Sequence, residues 1–473
     1  MKEPACMPYV LGIDLGHTHT SAAVCLRSGT RWGEAEVVVL DDGSRTVESV
    51  LYVAPDGGIL VGDAARGRAH AEPERVATGF VGRVGDAVAL VLGQDSYPAE
   101  TVAAALAGWV VDRVADLHGG PAERIVLAHP PGWGGHRRAV LHAALEAAGL
   151  PGVLLLPNPV AAAESLQARE PQEPGAVLGV CRLGGDHAEA ALVRRGQAGF
   201  DLVTHAEGAD SFTGSRLDDV LAEHVLAAAG DATVPPAALA KLRLACARAK
   251  EELSAVPEVT VPLTAPGGPA EIRIGREVFD RLARPVLEAA VLTLRRLAEP
   301  VPEDELRGAV LVGGSARIPL ATALAEDLLG CRVFTDPDPE SAICRGAALA
   351  ARPRMAVEPA PTPIEAPVRS TAVVPDGEPA PEPGFGAEPP PPRPPVEVTP
   401  LQPPRRFPRL RREPEREEAT GRAGSTEGRT GAQAALAAEE RKRVPARRPR
   451  RELENGSKHD RVNERDDDRN EVR

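Results

Sequence analysis

Twice before Arg352 the chain passes through three short apolar strands and then through alternating helices and strands, and this doubling restricts the fold more than any other feature. Residues 9–14 (YVLGID) and 21–26 (SAAVCL) read as buried strands around a Gly-His-Thr turn, with 36–40 as a third. A helix is predicted over 102–117, then a strand at 124–128, a helix over 136–148, a strand at 153–156 and a helix entered at Asn158-Pro159. Proline in a first helical turn gives up no intrahelical hydrogen bond, so that boundary is well marked. After a linker at 168–175 the pattern restarts. Strands are expected at 176–183, 188–193 and 200–206, and helices over 215–229 and 236–254. Strands at 258–263 and 270–274, a helix over 276–298, a strand at 308–312 and helices over 317–329 and 340–351 complete it. The repetition implies two similar α/β lobes, each with a mixed sheet, rather than one continuous parallel sheet. Their expected bounds are 8–170 and 171–352.

Aromatic residues make up only 3% of the chain against 43% apolar residues, so the core must be built from Ala, Val and Leu. The formal net charge of −13 hides an asymmetry: residues 401–473 carry +5 and the first 400 carry −18. An acidic body argues against a general nucleic-acid surface, and no specific nucleic acid is expected as a partner. Residues 353–408 hold 19 of the 47 prolines, and the stretch beyond is dominated by Arg, Glu and Gly. Such a composition buries too little apolar area to offset a backbone entropy of about 1–2 kcal/mol per residue, so 353–473 is expected to be a disordered tail, Pro-rich and then charged. The six cysteines are scattered without CxxC spacing, which predicts free, mostly buried thiols in a reducing compartment. No leader pattern opens the chain and no apolar run reaches the roughly 18–20 residues of a membrane span, so a cytoplasmic protein is expected.

Three glycine turns follow directly on strands. The first is Gly12-Ile13-Asp14-Leu15-Gly16-His17-Thr18. A strand ending in Asp with a Gly-led turn brings backbone N–H groups toward an anion and supplies a carboxylate able to hold a magnesium-bound water. The second, Leu183-Gly184-Gly185-Asp186, stands at the same place in the second lobe. The third is Leu311-Val312-Gly313-Gly314-Ser315-Ala316-Arg317-Ile318-Pro319, where glycines let a flat ligand reach the backbone and Arg317 can stack over a base. Any one of these turns also serves as a plain connection. Two of them related by a lobe repeat, plus a third, point to phosphates.

From end to end these blocks resemble the nucleotide-binding domain of heat-shock-70 (DnaK-like) chaperones. Gly12–Thr18 resembles the family's first phosphate loop, Pro157–Leu166 its first connecting motif and Leu183–Gly185 its second phosphate loop. Gly214 stands at a later glycine turn, Cys246–Ser254 resembles the adenosine-contacting helix, Leu311–Pro319 the adenosine loop and Glu340–Ala351 the closing helix. The resemblance implies an actin-like (hexokinase/heat-shock-70 type) ATPase fold, with two lobes around a nucleotide cleft. It implies ATP or ADP, with Mg2+ at Asp14, as the ligands. The residues it singles out on the phosphate side are Asp14, Gly16, His17, Thr18, Gly184, Gly185 and Gly214. On the adenosine side they are Lys250, Ser254, Gly313, Gly314, Ser315 and Arg317.

The match departs from the family where hydrolysis is expected. His17 replaces a threonine near the γ-phosphate, Asn158 replaces the connecting-motif glutamate, and Asp186-His187 replaces Gly-Thr. The magnesium-side aspartate is Arg182. The essential lysine falls on Thr78, with Arg83 nearby as a candidate substitute. In the adenosine helix an acidic residue becomes Ala247 and a basic one Glu251. Phosphoryl transfer to water needs metal carboxylates, a cation and a group that orients water. Losing one such group costs on the order of 10²–10³ in rate. Arg182 is expected to neutralise phosphate charge directly, favouring binding over turnover, and no catalytic residue is assigned. Residues 353–473 carry no alternating strands for a peptide clamp, so their expected role is to recruit protein partners. The leading expectation is a nucleotide-dependent switch or scaffold with weak or absent hydrolysis. An active chaperone-type ATPase working through its tail or a partner is the alternative. A metabolite kinase of the same fold is a further one, for which no acceptor-site aspartate stands out.

Overall fold

Strand β1 (Tyr9–Leu15) is buried along its whole length, as a strand with neighbours on both edges and packing on both faces must be. It pairs antiparallel with β2 (His19–Ser28), which carries β3 (Arg31–Val37) and β4 (Thr46–Glu48). On its other edge it runs parallel to β5 (Arg124–His129), which pairs with β6 (Leu154–Pro157). The computed structural model describes residues 7–207, 213–230, 235–265, 268–302 and 304–353. The tail expected over 353–473 lies outside the described residues apart from Pro353.

A second mixed sheet repeats the first. Its buried central strand β7 (Val177–Leu183) pairs antiparallel with β8 (Ala188–Arg195), which carries β9 (Phe200–Glu207). The other edge of β7 runs parallel to β10 (Leu306–Val312), beside β11 (Val333–Phe334). β1 ends Asp14-Leu15-Gly16 and β7 ends Arg182-Leu183-Gly184, so the two polar residues hold equivalent positions in the two sheets.

Besides a short helix at Asp63–Arg68, the helices are α1 (Ala99–His118), α2 (Gly135–Ala147), α3 (Asn158–Arg169), α4 (Gly214–Ala228), α5 (Pro236–Leu253), α6 (Arg276–Ala298), α7 (Pro319–Leu329) and α8 (Ala342–Ala351). One apolar cluster lies around α1 and the first sheet, and a second around α4 to α7 and the second sheet. A third runs between them through α3 and α8, joining Val10 and Val126 to Leu178 and Val310. Its alanines let helices approach closely: a Cβ on Gly346 of α8 would stand 1.6 Å from the Ala161 carbonyl oxygen of α3. An Ala-rich, aromatic-poor core thus becomes close helix-to-helix and helix-to-strand packing.

Most predicted elements are present, and the differences have local causes. The third strand is Arg31–Val37 rather than 36–40, because Gly29, at φ 62°, closes a tight hairpin directly after β2. The helix expected from 317 starts at Pro319, after a 3-10 turn over Gly314–Arg317. A proline lacks the N–H to continue a helix but suits its first position. Strands Leu51–Val53, Ile59–Val61, Val76–Ala77, Leu90–Leu92 and Asp95–Tyr97 were not predicted; at two or three residues each they carry no readable period. Cys25, Cys181, Cys246 and Cys344 are buried free thiols, and burial pushes those of Cys181, Cys246 and Cys344 up to about 12. They are therefore unreactive. No helix among the described residues is long and apolar enough to cross a membrane.

Candidate functional site

The ends of the two central strands and the Gly313–Arg317 turn open onto one cavity of about 440 Å³, within the usual range for small-ligand clefts. Asp14, Thr18, Gly184 and Gly185 line one end. Lys250, Ser254, Gly313, Gly314, Ser315 and Arg317 line the other. Ten of the thirteen expected residues thus line one cavity. Gly16, His17 and Gly214 are adjacent without lining the cavity. Glu340, the first residue of the block that resembles the closing helix, also lines it, as do Ser215 and Asp218, which no sequence pattern singled out. Asp218 had a weak signal, lying one helical turn beyond Gly214.

The glycines are held by close approach. A Cβ on Gly185 would lie 2.6 Å from the Thr18 side chain, so the first and second turns touch. At Gly313, φ is 92° and a Cβ would meet the Leu183 carbonyl oxygen at 2.6 Å. Only glycine adopts that conformation without strain. The Gly214 and Ser215 N–H groups donate to the Gly184 and Gly185 carbonyls, at 2.9 and 2.8 Å, tying the start of α4 to the second turn.

On the adenosine-side wall, Lys250 Nζ donates to the Gly214 carbonyl at 3.0 Å and pairs with Asp218 at 2.8 Å. Arg317 pairs with Asp338 at 2.6 Å and Glu340 at 2.8 Å. Its hydrogen bond to Glu340, the largest contribution, raises its already high pKa. These contacts hold both cations in position at the cavity wall.

The phosphate-side wall is organised differently. Arg182 Nη2 lies 3.1 Å from both oxygens of Asp14. Asp14 and Arg182 are only 5% and 7% exposed, so the pair is buried between the strand ends. Burial pushes the Asp14 carboxyl above its ordinary 3.8, against the attraction of Arg182 and with the repulsion of Glu189. Glu189, opposite Arg182 across the β7–β8 pair, is buried and accepts from Asn158 Nδ2 at 3.1 Å. Sequence reasoning missed Glu189 because it belongs to no turn motif.

Magnesium, which the fold implies at Asp14, does not fit this arrangement. The carboxylate that would hold the ion already holds a guanidinium, and the described residues contain no group of three His, Cys, Asp or Glu side chains able to bind a metal. The donor set matches an anion instead. Arg182 lines the cavity, and its Nη1 has no hydrogen-bond partner among the described residues. Arg83 does not take the place of the missing lysine. It donates to the Val88 carbonyl at 2.7 Å and faces Asp86 at 3.5 Å, away from the cavity.

His17 and His187 stack across the two turns, with ring centroids 4.6 Å apart and planes 20° from parallel. Burial, followed by the positive surroundings of His187, Arg182 and Arg137, drives His17 down to about 3. His17 therefore stays neutral in the fold while the unfolded chain takes up a proton near pH 6.5. Its contribution is complete above about pH 6.5 and is lost progressively as pH falls toward about 3. Urea unfolding at pH 6.5, 5.5 and 4.5 should show a loss of about 1 kcal/mol per pH unit beyond that of His17→Asn. Parallel curves for the two proteins would refute this assignment.

The chain is similar in sequence to known proteins. The family model of the Hsp70 protein matches residues 82–356. The chain is 30% identical over 366 residues to a chaperone protein HscA homolog of Acidithiobacillus ferrooxidans, covering 72% of this chain and 58% of that protein. It is 24% identical to the chaperone protein DnaK of Nitrosopumilus maritimus, covering 73% and 56% respectively. It is 28% identical to the chaperone protein DnaK of Thermotoga petrophila, covering 72% and 59%. The chain thus spans less than two thirds of the length of the curated relatives it matches.

Proposed function

The chain belongs to the Hsp70 protein family, and from that premise we propose that it is an adenine-nucleotide-binding switch or scaffold with weak or absent ATP hydrolysis. The observation that carries this reading is the single cavity joining Lys250, Ser254 and Gly313–Arg317 to the two glycine turns at Asp14 and Gly184. The first group suits an adenosine and the second an anionic chain. Weak turnover is supported by the Asp14–Arg182 pair, which occupies the carboxylate a hydrolytic metal needs. Asn158 and His187, at two further positions where the family differs, are held by or beside Glu189.

The two sheets are read as lobes over 8–170 and 171–352. Their closure around nucleotide is the bistable element, since a ligand shifts a population only through differential binding to the two states. Protein partners are assigned to residues 353–473, and the working compartment is the cytoplasm.

Calorimetric titration of the purified chain with ADP and ATP should give one saturable site, weakened more than tenfold by Lys250→Met or Gly313→Val. Single-turnover hydrolysis should run on the order of 10²–10³ below an intact site. Hydrolysis at an ordinary chaperone rate, abolished by Asp14→Ala, would overturn the weak-turnover reading. Absence of any nucleotide binding would overturn the site itself.

A further inference from the structure

Behind Thr18 and Gly185, which line the cavity, two imidazoles that do not line it fill the space between the turns. His187 stacks on the His17 ring, and a Cβ at Gly82 would lie 3.2 Å from His17 Cδ2 and Nε2. His17 belongs to the first turn and His187 to the hairpin of the second, so the stack bridges the two turns where an extended phosphate chain would run. The turns also meet directly, Thr18 standing 2.6 Å from a Cβ on Gly185. A chain of phosphates entering from the Lys250 and Gly313 end therefore meets a wall beyond Arg182.

Charge acts in the same direction. The cavity-lining cations Arg182, Lys250 and Arg317 each have a carboxylate partner. The lining carboxylates Asp14, Asp218, Glu251 and Glu340 outnumber them by one. Each further ionised phosphate must enter a site without surplus positive charge, and the neutral His17 adds none. The contact of the two turns, backed by two rings, and the internal balance of charges limit how much phosphate the cleft can take. The Arg182 guanidinium, which lines the cavity and is held on Asp14, is the group left to meet an anion where a divalent ion would otherwise stand.

We infer that the site takes a nucleoside diphosphate in preference to the triphosphate, with Arg182 in place of a divalent cation and the His17–His187 stack as the barrier to a third phosphate. This rests on the reading of the cavity as an adenine-nucleotide site and goes further by naming which nucleotide it holds. It also gives the switch a different logic, since the bound state is set by the supply of diphosphate rather than by hydrolysis in the cleft.

The test is competition on the full chain. Fluorescent-labelled ADP is displaced by unlabelled ADP, ATP and AMP, each in Mg2+ and in EDTA. ADP is expected to displace at least tenfold better than ATP and than AMP, with less than a twofold change in the ADP Kd on going from Mg2+ to EDTA. His17→Ser and His187→Ser are each expected to bring ATP to within about threefold of ADP. ATP binding as tightly as ADP, AMP matching ADP, or a tenfold loss of ADP affinity in EDTA would each overturn the inference and leave the nucleotide site standing. So would serine variants that melt like the parent and keep its ADP-to-ATP ratio. Should a variant fail to fold, the competition on the parent chain decides alone. Failure of labelled ADP to bind at all would instead overturn the nucleotide reading and this inference with it.

Discussion

Gly346→Ala is expected to lower the free energy of unfolding by about 3 kcal/mol or more, although glycine-to-alanine inside a helix ordinarily stabilises by about 1 kcal/mol. The sign is reversed by packing. A Cβ at this position in α8 would stand 1.6 Å from the Ala161 carbonyl oxygen and 2.5 Å from its carbon, and backbone cannot swing aside as a flexible side chain can. α8 also rests on β1, where a Cβ on Gly12 would come 2.1 Å from the Ala348 nitrogen. Separating α8 from either neighbour would disturb the apolar cluster that links the two sheets, so the effect should be global. Gly108 in α1 has nothing within 4 Å of its would-be Cβ. Gly108→Ala should therefore show the ordinary gain of roughly 0.5–1 kcal/mol. Urea midpoints for both variants check the argument; two stabilised proteins would show that the helices are not in contact as described.

Arg182→Met is expected to destabilise the fold by about 3–5 kcal/mol at pH 7, the cost of leaving a buried charge without its partner. Asp14 would then face Glu189 with no guanidinium between the strand ends. Burial already raises the Asp14 carboxyl above 3.8, so it takes up a proton more readily in the fold than in the unfolded chain. A carboxyl raised in the fold contributes stability below its unfolded value, and that contribution is lost as pH rises through the folded one. The deficit of Arg182→Met should accordingly shrink as pH is lowered from 7 toward 4. The double variant Asp14→Leu with Arg182→Met should recover most of the loss at pH 7, since well-packed apolar residues commonly match a buried pair. A loss independent of pH, or a double variant as unstable as the single, would show that the pair is not what holds the strand ends together.

Both predictions bear on how far the sequence could be read. Strand and helix identity in the two sheets was legible from the run of buried apolar residues in β1 and β7 and from Asn158-Pro159, because local periodicity and proline chemistry act within a few residues. The glycine turns were legible for the same reason, and they marked the cavity from both ends. The short strands between residues 51 and 97 were not, since two or three residues display no period.

By itself, then, the sequence determined the doubled α/β plan, the glycine turns and the departures from the family pattern at Arg182, Asn158 and His187. Tertiary structure alone decided what the replacements do. Asp14 and Arg182 are 168 positions apart in the chain and 3.1 Å apart in the fold, because each ends the central strand of its own sheet. His17 stacks on His187, and Asn158 bonds to Glu189, through the same meeting of the two sheets. Their charge states and their reach depend on burial and on partners brought from distant segments, and those are properties of the packed molecule that no local pattern encodes.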